Sequence, residues 1–205
     1  MTARKEVKKY LFSALVGVSA IFGVTSASAA ITFEFNTVIA GAPQGGPVFA
    51  TLLIEDSGVD TVSLTLSHTA DPGQAGGQSI KTLLLNVDPF VSGTVTSGSS
   101  KFKSYSFSEN GKNDSGAMFD LRIDFDTAMN NRFLAGDSVA MTATGTGLTE
   151  DSFNAFSAGV PYLGMIHFIS VPPDQNSAKV VAVPEPASLF ALGLGAVVLL
   201  RRRKK

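Results

Sequence analysis

The amino-acid sequence predicts an all-β body, an antiparallel β-sandwich of jelly-roll type with one short helix, set between two cationic ends. Three observations predict it. Apolar and polar residues alternate with period two in stretch after stretch beyond Ala30, as strands do when one face meets a core and the other meets water. Those stretches are rich in Val, Ile, Phe, Leu and Thr, and clusters of Gly, Asn, Asp and Pro separate them. Fifteen Phe, with no Trp and three Tyr, supply the large side chains of a core. A body of roughly 150 residues buries about two-thirds of its unfolded surface and needs no covalent staple. There are no cysteines, which excludes disulfides, a thiolate nucleophile and Cys-ligated zinc.

Residues 1–29 read as a secretory signal peptide. Arg4, Lys5, Lys8 and Lys9 precede an apolar run from Tyr10 to Val24, and Ala27-Ser28-Ala29 closes it in A-x-A form. The cations stay in the cytoplasm, the apolar run enters the translocon, and only small side chains fit the signal peptidase pocket. The run falls short of the roughly 20 residues of a spanning helix, which disfavours an uncleaved anchor. The expected cut follows Ala29, with Ala27 and Ala29 as its recognition residues.

The body, residues 30–182, then reads as strands at ITFEFNTV, VFATLLIE, VDTVSLTLSH, SIKTLLLNVD, KFKSYSFS, AMFDLRIDFD and DSVAMTATGTG. Between them GAPQGGP, DSG, ADPGQAGGQ, VSGTVTSGSS and ENGKNDSG read as turns. Asn110-Gly111 is the clearest hairpin signal, because both residues tolerate positive φ. In LTEDSFNAFSAG, Thr149 followed by Glu150 and Asp151 predicts a helix start, Phe153 and Phe156 share a face, and Gly159 is the stop. That helix is expected to cover one end of the sheet. PYLGMIHFISV returns to strand, and no solenoid repeat is present.

The formal charge of −1 hides a segregation: the body holds seven basic and fifteen acidic residues, and both ends are positive. An acidic body argues against nucleic acid, whose phosphates need a basic footprint. In FDLRIDFD, strand alternation places Asp120, Arg122, Asp124 and Asp126 on one face and Phe119, Leu121, Ile123 and Phe125 on the other. A solvated face explains this pattern. Asp120, Asp124 and Asp126 are also candidate Ca²⁺ ligands, with Asn113, Asp114 and Ser115 in the neighbouring loop, although the D-x-D-x-D-G loop is missing and Arg122 would repel the ion. No other cofactor is expected. His68 and His167 stand apart, with no H-E-x-x-H and no G-x-S-x-G, so neither zinc nor a serine triad is indicated and the protein is read as non-enzymatic. A hydrolase using two of the many carboxylates is a weaker reading, since no pair is singled out. A sugar platform would want exposed Trp or Tyr; Trp is absent, and Tyr105 and Tyr162 are the only tyrosines left after signal removal.

The last stretch, VPEPASLFALGLGAVVLLRRRKK, occupies residues 183–205. Its apolar run, residues 187–200, would span about 21 Å as a helix, short of a hydrocarbon core of roughly 30 Å. Arg201 to Lys205 hold that end in the cytoplasm. Pro184 and Pro186 stiffen an extended turn from which Glu185 projects, well presented to a membrane-embedded enzyme.

Pro184-Glu185-Pro186-Ala187-Ser188-Leu189, followed by a Gly-containing apolar helix and an Arg cluster, resembles the PEP-CTERM protein-sorting signal. The resemblance covers about the last tenth of the chain. It implies export in a Gram-negative bacterium, a single transient span of the inner membrane, and recognition of Pro184, Glu185 and Pro186 by the membrane enzyme exosortase. Removal of the tail and association with exopolysaccharide or biofilm at the cell surface would follow. The expected protein is thus an exported surface or matrix protein; the alternative is a glycan- or calcium-binding module delivered by the same tail.

Overall fold

The computed structural model describes residues 30–183. The signal segment with Ala27 and Ala29, and the sorting segment from Pro184 onward with its helix at about 187–200, lie outside the described residues. In chain order the elements are β1 (Ile31–Ala40), β2 (Ala50–Gly58), β3 (Thr61–Ser67), the helix α1 (Pro72–Ala75), β4 (Ser79–Leu85), β5 (Thr94–Thr96) and β6 (Phe102–Asp114). There follow β7 (Ala117–Phe125), β8 (Phe133–Leu134), β9 (Ser138–Thr144), a 3-10 turn (Glu150–Phe153), β10 (Ala158–Gly159), β11 (Gly164–Val171) and β12 (Asn176–Ala182). Among the described residues no helix is long and apolar enough to cross a membrane.

Alternation does what the sequence implies. In β3, Val62, Leu64 and Leu66 are buried while Thr61, Ser63, Thr65 and Ser67 reach water. In β9, Val139, Met141 and Ala143 repeat the pattern. The two strands pair antiparallel from Thr61 opposite Thr144 to Ser67 opposite Ser138, which sets their apolar residues on one face.

All pairings are antiparallel, and the strands form one hydrogen-bonded path in the order β10-β7-β4-β11-β12-β1-β2-β3-β9-β5. β6 runs along the other edge of β7, and β8 sits beside β4. A flat sheet of this order would leave one face wet across its width. Instead Leu52, Leu64, Ile80, Leu83, Ile123 and Phe168 are fully buried in a single apolar cluster. The sheet therefore closes over one core. Edge-on ring pairs such as Phe49 with Phe168 at 6.3 Å and Phe125 with Phe133 at 5.0 Å fill it.

Three expectations are corrected. The predicted hairpin at Asn110-Gly111 is a bulge within β6: Phe107 faces Leu121 and Lys112 faces Phe119, so a step of five residues on β6 meets a step of two on β7. Asn110 does take positive φ, at 48°. The true hairpin lies five residues on, where Asp114 pairs with Ala117 and Ser115 (φ 52°) and Gly116 (φ 81°) make the two-residue turn.

The helix expected after Thr149 reduces to one 3-10 turn. The Ser152 hydroxyl accepts from the Thr149 N–H at 3.2 Å, but the chain leaves the helical path at Asn154. Phe153 is buried, whereas Phe156, no longer one turn away on the same face, is 55% exposed. The short α-helix lies instead in ADPGQAGGQ, where Asp71 caps the Gly73 N–H at 2.8 Å and Pro72 supplies the first helical position.

The alternation of β7 slips at Asp120. Leu121, Ile123 and Phe125 enter the main core, but Phe119 joins a second cluster on the opposite side of the sheet with Leu84, Met165 and Val181. Asp120 is buried rather than solvated. β12, which the sequence reading passed over, is an interior strand paired with β11 on one edge and β1 on the other.

Candidate functional site

The three candidate calcium ligands are not brought together. The Asp120 carboxylate accepts from the backbone N–H of Val87 at 3.0 Å and of Asn110 at 2.6 Å, so it ties the β6 bulge to the end of β4. Asp124 accepts from Arg122 through Nε and Nη2 at 2.8–3.0 Å and from the Thr82 hydroxyl at 2.8 Å. Burial works to raise its pKa, but the hydrogen bonds from Arg122 and Thr82 outweigh it and hold the carboxyl below the usual range. The same pairing pushes Arg122 up. Asp126 accepts from the Ala128 N–H and the Asn131 amide, and those bonds lower its pKa. Each carboxylate thus has its own structural partners. Among the described residues no three of His, Cys, Asp and Glu stand close enough to hold a metal ion. Asp114 of the neighbouring loop is paired with Lys179, and the Ser115 hydroxyl donates to Asp114.

The histidines occupy different environments. His68 is core, its ring tilted against Phe168 at 5.2 Å and edge-on to Phe133 at 6.4 Å. Burial lowers its pKa to about 4, against smaller raising effects from hydrogen bonds to Phe133 and Leu134. His167 lies on the outer face of the sheet, half-buried, with its Nε2 enclosed and without a hydrogen-bond partner. Burial and the nearby Lys81 and Lys179 lower its pKa.

That outer face is where the structure gathers polar chemistry. Cross-strand pairing aligns Lys179, His167, Thr82, Asp124 and Ser104 in one row over β12, β11, β4, β7 and β6. At about 4.8 Å per strand the row spans about 19 Å. The next row, Val181, Met165, Leu84, Arg122 and Ser106, is apolar on β12, β11 and β4 and polar on β7 and β6. A bulge in β4 turns Lys81 outward as well, since Thr82 faces His167 while Ile80 faces Phe168. Two adjoining hollows result, both lined by Arg122. One of about 200 Å³ holds Lys112, His167 and Asp114; the other, of about 350 Å³, holds Lys81, Lys103, Ser104 and Asp124. Five of the seven cations of the body, Lys81, Lys103, Lys112, Arg122 and Lys179, therefore belong to one face.

Sequence reasoning missed this grouping. Its members are separated by up to 98 residues in the chain, and only the strand order makes them neighbours. The net charge of the body concealed it further. Of the two candidate aromatics, Tyr105 is 37% exposed and stacks edge-on with Phe107 at 6.1 Å, and Tyr162 packs against the second cluster.

The chain leaves the body beside this face. Ala182 ends β12, and Val183 packs against the second cluster, which borders the hollows through Leu84. Residues 182–204 match the PEP-CTERM protein-sorting motif. No curated protein and no solved structure gives a significant match to the chain. The motif thus starts on the last residue of an interior strand, with Val183 alone between that strand and Pro184. The chain carries the PEP-CTERM sorting motif, which marks it as an exported protein that an exosortase processes.

Proposed function

We propose that this chain is a non-enzymatic surface or matrix protein of a Gram-negative bacterium, its body a jelly-roll-like sandwich associated with exopolysaccharide after export. The observation that carries the reading is the sorting motif at residues 182–204. In this account signal peptidase cuts after Ala29, the run 187–200 holds the chain in the inner membrane, and Arg201 to Lys205 keep that end cytoplasmic. Exosortase then reads Pro184, Glu185 and Pro186 and removes the tail. The join supports the sequence of events: β12 is hydrogen-bonded along both edges, so a pull on the tail meets two ladders in shear. The body can stay folded while the tail is handled.

The test is replacement of Pro184, Glu185 and Pro186 by alanine in a host that has exosortase. The altered chain should remain in the membrane fraction at the mass of the signal-cleaved, tail-bearing form, while the unaltered chain is shortened and leaves that fraction. Equal shortening of both would refute recognition through these residues. A second reading, a glycan-binding module on the same tail, is favoured by the polar hollows of the outer face.

A further inference from the structure

We propose that the groove across β6, β7, β4, β11 and β12 binds an acidic polysaccharide, its cations receiving carboxylates and its hydroxyl and amide groups receiving sugar hydroxyls. This deepens the matrix reading above, and rests on it for placing the protein among polysaccharides; the anion chemistry stands on the groove itself. Arg122 offers its Nη1 edge, because Asp124 occupies only Nε and one side of Nη2. Lys81, Lys103 and Lys112 have no ion-pair partner among the described residues, so their charge is available. Asp114 and Asp124 lie within the same groove, which leaves an excess of three positive charges among five cations and two carboxylates.

That modest excess suits a polymer bearing one charge per sugar unit better than a duplex with one charge per ~1.7 Å. The rings that line the hollows are Phe125, which is buried, and His167, which is half-buried, so bases have no exposed stacking platform. Ser104 and Asn113, both exposed, instead supply short polar groups between the cations. The floor also decides against a lipid surface. Its apolar lining residues, Leu84 and Phe125, are 5% and 1% exposed, so the hollows present nothing apolar to acyl chains.

The experiment uses the full chain in neutral detergent and measures binding to polygalacturonate, dextran, double-stranded DNA and phosphatidylglycerol vesicles. Polygalacturonate should bind and dextran should not, and raising salt from about 50 to about 500 mM should weaken binding at least about tenfold. The triple variant Lys81→Gln, Lys103→Gln, Lys112→Gln should lose at least about tenfold in affinity at an unchanged melting temperature. Lys101→Gln, which alters a cation that lines neither hollow and is paired with Asp137 at 2.9 Å, should bind as the unaltered chain does. Undiminished binding by the triple variant, no binding of polygalacturonate, or tighter binding of DNA or vesicles would each overturn the proposal. Because the purified chain is used, these outcomes are independent of whether its tail is processed in the host, which the mass of the exported protein reports separately.

Discussion

Replacing Asp120 by alanine should destabilise the body by about 3 kcal/mol, the largest effect expected of any single carboxylate here. The residue is 8% exposed, and its two oxygens each accept a backbone N–H, from Val87 at 3.0 Å and Asn110 at 2.6 Å. Hydrogen bonds to a charged group contribute about 1.5–3 kcal/mol each, and a buried donor left without an acceptor carries its full desolvation cost. The Asn110 N–H lies at an exposed bulge and water can replace the carboxylate there, but Val87 is 2% exposed and its N–H has no such recourse. Asp126→Ala, which removes a capping carboxylate from an exposed turn, should cost no more than about 1 kcal/mol. Urea denaturation of both variants with and without Ca²⁺ decides between structural and metal roles. A calcium-independent loss confined to Asp120 is the expected result. A loss for Asp126→Ala of similar size that appears only with Ca²⁺ would restore the calcium reading.

The second large effect is a dependence of stability on acid through His68. The folded pKa is about 4, because burial against Phe133 and Phe168 disfavours the charged ring, whereas an unfolded histidine titrates near about 6.5. Between those values the unfolded chain binds the proton and the folded chain does not, so stability falls as pH falls through that window. At about 1.4 kcal/mol per unit the loss approaches about 3 kcal/mol on going from pH 6.5 to pH 4. Below about pH 4 both states are protonated and the contribution is flat. His68→Phe keeps the ring packing and gives up one long bond of 3.4 Å to the Phe133 carbonyl. Its stability should vary less with pH across the window, by about that amount, when followed by urea unfolding at each pH. An unchanged slope would assign the acid sensitivity to other groups.

The sequence made the body legible wherever one strand face meets the core and the other meets water. β3 and β9 alternate cleanly and were read as strands. β12 was not, because it is buried on both sides: Val180 enters the main core and Val181 the second cluster, so NSAKVVA shows no period of two. β5 is three residues within a glycine- and serine-rich stretch, and only its pairing with β9 makes it a strand. Asn110-Gly111 has the chemistry of a hairpin turn, yet the ladder to β7 resumes after it and the chain reverses at Ser115-Gly116. Local residue type limits φ; it does not say which partner strand is in reach.

The sites divide in the same way. The sorting motif is a contiguous run of Pro184, Glu185 and Pro186 followed by apolar and cationic blocks, so its signal survives in one dimension. The cationic groove has no such signature. Lys81 faces outward because of a bulge, Lys103 sits at another, and Lys179 arrives from the last strand. Net charge averaged those cations with fifteen acids spread over the body, although a ligand responds to local potential rather than to the total.

The most direct test of the account is the intact mass of the chain exported by a host that contains exosortase. The account predicts a species that begins at Ala30 and has lost the apolar run and the cations Arg201 to Lys205. A mature chain that still ends in Lys205 in that host would contradict it.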